Sequence, residues 1–130
     1  MIKQPITDFS MLPPIMAVDF DGTLVHDRFP EIGNEREQFV EAVKRLQALG
    51  VKTILWTSRT GKYLDDAVKW CEEHNIVLDA VNENLPEVKE LAGEDTRKVY
   101  ADVYLDDKAR TPDGHHIKVT IQGLYKWLGK

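Results

Sequence analysis

One cysteine, Cys71, is too few for a disulfide within the chain. It falls on the apolar side of an expected helix, where a lone thiol is core packing. Scarce cysteine fits a reducing, cytoplasmic setting. No apolar stretch approaches membrane-spanning length, so no membrane partner is expected. Residues 1–14 lack the basic start, apolar centre and small-residue cleavage site of a signal peptide. A basic run is missing too: 17 Lys and Arg stand against 22 Asp and Glu, a net charge of −5. A chain built to grip nucleic-acid phosphates would carry a basic face, so nucleic acid is not the expected partner. An oligonucleotide end in a short basic cleft stays open. Repeats, low-complexity segments and linkers are absent, so residues 1–130 read as one domain with one sizeable core. A 42% hydrophobic and 30% charged composition is that of a folded chain.

What is there is organised around residues 15–24. The apolar run Ile15-Met16-Ala17-Val18 has the length and branching of a buried strand and ends in Asp19 and Asp21. Open α/β sheets hold their ligands where their strands end. Gly22 lets the backbone turn sharply after the pair. Two carboxylates two residues apart lean to one face of a strand, and such like charges call for a cation or a shared proton. An ordinary Asx-type turn accounts for Asp21-Gly22 but leaves Asp19, inside the strand, unexplained.

The rest of the chain alternates strand and helix. Residues 22–33 read as a loop carrying His26, Arg28 and Phe29, and Asn34 with Glu37 has capping-box spacing. Phe39, Val40, Val43, Leu46 and Leu49 form a helical stripe that Gly50 ends. A second strand over 51–56 leads to Thr57-Ser58-Arg59. A helix from Gly61 buries Leu64, Ala67, Val68 and Cys71, and a third strand spans 76–81. Residues 82–97 are acidic and irregular, with a short helix over 86–91. A fourth strand over 99–105 ends in Asp106-Asp107, a fifth is expected over 117–121, and a short helix over 124–128 closes the chain. This order predicts one Rossmann-like three-layer α/β domain, a mainly parallel five-stranded sheet with helices on both faces. Asp19, Asp21, Thr57, Ser58, Asp106 and Asp107 then meet at one edge. Oxygen ligands without clustered histidine or cysteine suit Mg²⁺ better than Zn²⁺. The Lys98 ammonium and the Thr57 hydroxyl suit a phosphate.

Asp19-Phe20-Asp21-Gly22-Thr23-Leu24, then Thr57, Lys98 and Asp106-Asp107 in that order, resembles the haloacid dehalogenase superfamily across residues 15–107. The resemblance implies a Mg²⁺-dependent phosphatase working through an aspartyl phosphate. Asp19 is then the nucleophile, and Asp21 the acid and base. Asp19, Asp21 through its backbone carbonyl, and Asp106 or Asp107 hold the metal. Thr57, Ser58, Arg59 and Lys98 contact the substrate's phosphoryl group.

Only a loop, one helix and a strand fit between Asp21 and Thr57, so no cap domain is expected. An open site admits a nucleotide, a sugar phosphate or a macromolecular phosphate, or a second copy of the chain that closes it. Two other functions compete: a phospho-accepting module, and a non-catalytic module that only binds metal. Receiver domains place the acidic pair before a lone aspartate, the reverse of the order here. His26 and Arg28 flank the expected mouth as ordinary loop residues. His115 and His116 are adjacent, so on a strand they point oppositely and make a poor metal pair. Trp56, Trp70 and Trp127 read as packing.

Overall fold

The computed structural model describes residues 5–117 and 120–129. The sheet is seeded by β1 (Ile15–Val18), whose residues are all buried. Alternation along β1 feeds two cores. Met16 and Val18 face one, Ile15 and Ala17 the other. β4 (Lys52–Leu55) and β6 (Val103–Leu105) flank β1 in parallel register, and β5 (Ala80–Val81) extends the sheet beyond β4. The order is therefore β5-β4-β1-β6. From β1 the chain steps outward through β4 to β5, then returns to the opposite side of β1. This reversal opens a crevice between the carboxyl ends of β1 and β6, the place where such sheets bind ligands.

Helices cover both faces. α1 (Glu37–Ala48), α2 (Gly61–Glu73) and α4 (Ile121–Trp127) supply Val40, Val43, Leu46, Ala67, Cys71 and Leu124 to the Met16 core. α3 (Pro86–Ala92) supplies Val88 to the Ile15 core. Cys71 is fully buried as expected, and burial pushes its thiol up to about 12, which leaves it inert. Among the described residues no helix is long and apolar enough to cross a membrane.

Several expectations need correction. Among the described residues the sheet has four strands rather than five. Of the fifth, residues 118 and 119 lie outside the described residues. Thr120 instead caps α4, its hydroxyl accepting from the Gly123 amide at 3.0 Å. Residues 22–33 are not a plain loop: β2 (Val25–Arg28) and β3 (Glu31–Glu35) form an antiparallel hairpin. That hairpin holds Asn34 in a strand, so α1 begins after Arg36 with no side-chain cap. Phe39 and Leu49 leave the stripe, 42% and 41% exposed. Phe39 lies under the Arg36 guanidinium at 4.4 Å, and Leu49 follows the last helical turn. Trp127 is likewise surface, 40% exposed.

The expected third and fourth strands shorten for reasons of local bonding. Ile76 gives its amide to the Cys71 carbonyl at 2.9 Å, closing α2 instead of joining a ladder. Tyr100 gives its amide to Asn84 Oδ1 at 2.6 Å. Asn84 is 1% exposed, and its Nδ2 donates to Asp95 Oδ1 at 2.8 Å and to the Thr96 carbonyl and hydroxyl at 3.2 and 3.1 Å. One buried amide thus folds the acidic segment back onto the sheet and carries Lys98 with it. Removing it breaks four part-buried hydrogen bonds at once. Asn84→Ala is expected to lower stability by about 2–4 kcal/mol, read as a lower urea midpoint; an unchanged midpoint would contradict this role.

Candidate active site

Backbone pairing fixes the acidic cluster. The Asp19 amide donates to the Leu105 carbonyl at 2.9 Å, so the first residue after β1 sits beside the end of β6. Asp19, Asp106 and Asp107 each offer a carboxylate oxygen, and these lie within 4.8 Å of one another. Thr23 joins the two loops: its hydroxyl donates to Asp19 Oδ2 at 3.4 Å and accepts from the Asp107 amide at 3.2 Å. Gly22 has φ +86°, and a Cβ there would overlap the Asp107 carboxylate. Glycine is therefore required twice, by the turn and by the approach of the second loop.

The cluster is electrostatically incomplete. Burial pushes the Asp19 carboxyl up to about 7, helped by a hydrogen bond with Asp107 and by the charges of Asp106 and Asp107. The Phe20 amide opposes this only weakly. Asp107 Oδ1 is buried and faces no donor. Carboxylates so arranged need a shared proton or a hard cation. Three carboxylate oxygens brought together, with a buried Asp107 oxygen that faces no donor, suit a divalent ion that takes oxygen ligands, so the residues present fit Mg²⁺.

Asp21 goes elsewhere. Both its oxygens accept from Arg59: Nε donates to Oδ2 at 2.7 Å and Nη2 to Oδ1 at 2.8 Å. Its side chain is thus outside the acidic triad. Arg59, expected as a substrate contact, is 2% exposed. Its remaining donors reach the carbonyls of Pro30 at 3.2 Å, Tyr63 at 3.3 Å and Glu31 at 3.0 Å. All five N–H groups of the guanidinium are spent inside the protein. The contact with Asp21 holds Arg59 above its ordinary value. Its guanidinium also lies 5.1 Å from the ring centres of Phe20 and Phe29.

The other expected site residues share the edge to different degrees. Trp56 gives its amide to the Val18 carbonyl at 2.9 Å, which sets Thr57 and Ser58 just past β4 at the same edge as Asp19. The Thr57 amide donates to Asn82 Oδ1 at 2.8 Å, and its hydroxyl accepts from the Arg59 amide at 3.2 Å. Ser58 is exposed. Lys98 is exposed, with Nζ 5.5 Å from the centre of the Tyr104 ring. No carboxylate among the described residues lies within ion-pair distance of it. His26 and Arg28 are exposed on β2, and His115 pairs with Asp113 at 3.0 Å, apart from the triad. A groove of about 550 Å³ runs from Asp106 and Asp107 between α1 and α4, lined by Val43, Leu46, Ile121 and Leu124.

A conserved protein from Bacteroides thetaiotaomicron, known from its solved structure, is 36% identical to this chain. The match covers 88% of each chain with a TM-score of 0.70. This chain belongs to that protein's family. No family model matches the chain, and no curated protein does. The Bacteroides relative is described only as conserved, so the chemistry rests on the residues themselves.

Asn84 escapes the sequence pattern altogether, and Arg59 takes a different part from the expected substrate contact. Asn84 looks like one more polar residue of an acidic loop, and nothing local marks it as buried. Arg59 stands beside Thr57 as a phosphate contact would, and only the path of the hairpin turns it inward. Thr23 belongs to the opening motif, but its bridging hydroxyl depends on the distant Asp107.

The raised Asp19 carboxyl has a defined pH signature. A group whose folded value lies above its ordinary 3.8 stabilises the fold when protonated. That contribution is full below about 4 and is lost as pH rises through about 7. In chelator, the urea-midpoint advantage of wild type over Asp19→Asn is expected to shrink across this window. Added Mg²⁺ should restore it above pH 7. A flat difference with chelator would show that the triad is not strained.

Proposed function

We propose that this chain is a Mg²⁺-dependent phosphohydrolase of the haloacid dehalogenase type. One observation carries the reading: Asp19, Asp106 and Asp107 bring oxygens within 4.8 Å of one another where the strand order reverses, and one buried carboxylate oxygen faces no donor. The Asp-x-Asp-Gly-Thr order that opens the site supports it as well.

On this reading Asp19 attacks the phosphorus of a bound monoester. A new P–O bond forms to its carboxylate while the bond to the leaving oxygen breaks, and that oxygen keeps the electron pair and takes a proton from Asp21. Water then attacks the aspartyl phosphate, giving its proton to Asp21 and releasing inorganic phosphate. Mg²⁺, held by Asp19, Asp106 and Asp107, would offset the charge of the triad and of the phosphoryl oxygens. Thr57 and Ser58 stand at the same edge to donate hydrogen bonds to those oxygens. Lys98, whose ammonium lies over the Tyr104 ring, would supply a positive charge to them. Because the hairpin and helices leave the edge open, substrate selection falls to the mouth and to the apolar groove beside Asp106. The same openness admits a second copy as a cover.

A specific observation favours a second reading, a module that binds metal and phosphate without turnover. Arg59 occupies both oxygens of Asp21, the residue on which both proton transfers rely. A phosphate-release screen separates the two. Sugar phosphates, nucleotides, phosphopeptides and oligonucleotide ends are tested with and without Mg²⁺. The hydrolase reading expects metal-dependent release, and Asp19→Asn should cut it by about 10³-fold or more without unfolding the chain. Mg²⁺ binding with no release from any substrate would establish the second reading instead. Full activity of Asp19→Asn would exclude the covalent route.

A further inference from the structure

We infer that Arg59 is a positioning residue for Asp21, and that it makes the proton-transfer step depend on the tip of the β2–β3 hairpin. The inference rests on the hydrolase reading and deepens it. Asp21 sits two residues after Asp19, in a loop that also receives Asp106 and Asp107. With three carboxylates nearby, a free Asp21 side chain would be driven toward solvent. The guanidinium fork at 2.7 and 2.8 Å prevents that and fixes the plane of the carboxylate. A fork uses one lone pair on each oxygen, so each keeps another that can hold or release a proton.

Arg59 is itself set by others. The carbonyls of Pro30 and Glu31 hold it from the hairpin tip and that of Tyr63 from the first turn of α2. The Phe29 ring covers it, 54% exposed and edge-on to Tyr63 at 5.5 Å between ring centres. Asp21 is therefore placed by a hairpin whose outermost side chain faces solvent. Lysine cannot replace Arg59, because a single ammonium reaches neither both carboxylate oxygens nor all three carbonyls.

The experiment compares an alkyl phosphate, whose leaving oxygen must be protonated, with p-nitrophenyl phosphate, whose leaving oxygen departs without help. In wild type with Mg²⁺, both are turned over. Arg59→Lys should lower kcat/KM for the alkyl ester by about 100-fold, the scale of a lost general acid, and barely affect the aryl ester. In an Asp21→Asn background the same substitution should cost nothing further on either ester. Phe29→Ala, on the exposed side of the network, should show the same selective loss more weakly, and it decides the matter if Arg59→Lys fails to fold. Equal losses on both esters, or no loss from whichever variant folds, would make Arg59 merely structural and overturn the inference while the hydrolase reading stands. A gain on the alkyl ester would also overturn it, since the pair would then restrain Asp21. A wild-type chain inactive on both esters overturns the hydrolase reading and this inference with it.

Discussion

Mutual repulsion among Asp19, Asp106 and Asp107 is the constraint around which this structure is built. Nothing local favours bringing three carboxylate oxygens within 4.8 Å. Parallel pairing of β1 with β6 does it, and the buried residues of β1 hold that pairing. The energy that assembles the cluster is thus hydrophobic burial on the two sheet faces, far from the carboxylates. Thr23 and Gly22 then refine the approach, one by bridging the loops and the other by offering no side chain. A site of this kind is stable only with a proton or a cation in it, and the raised Asp19 carboxyl is the sign of that debt.

The same loop carries a second carboxylate under the opposite regime. Asp21 meets a fully bonded guanidinium inside the protein. Two aspartates separated by one residue therefore have different partners and different chemistry. The division follows from the end of β1: the chain bends at Phe20, so Asp19 and Asp21 lose the common face that strand alternation would give them. Phe20, between them, is buried in the Met16 core, and each carboxylate departs from that anchor toward a different neighbour.

Much of this was legible in the sequence, and what was not has a common cause. The buried run at residues 15–18, the stop at Gly50, the start of α2 at Gly61 and the helix after Pro86 follow from patterns within a few residues. So does the meeting of Asp19 with Asp106 and Asp107, once the strands are taken as parallel. What stayed hidden depends on contacts between distant segments. The hairpin at residues 25–35 mixes His26, Asp27 and Arg28 with single apolar residues, and exposed on one side it reads as loop. Asn34 matches a capping box in spacing, yet hairpin pairing overrides that local preference. Asn84 and Arg59 are polar residues buried by tertiary bonding, which no local pattern announces.

The hairpin also bears on how a small chain without a cap can still govern its site. β2 and β3 make no strand pairing to the main sheet among the described residues. Their tip is held instead by Arg59, through two backbone carbonyls and the face of Phe29. Val25 and Ile32 pack the hairpin against the Met16 core, while at its tip Arg59 has no spare donor with which to compensate for a lost bond. Displacing the Pro30 and Glu31 carbonyls would therefore break bonds of the same guanidinium that holds Asp21. A larger enzyme can close a whole domain over its substrate. On the hydrolase reading, one guanidinium would join the tip of a two-strand hairpin to the residue that moves the proton.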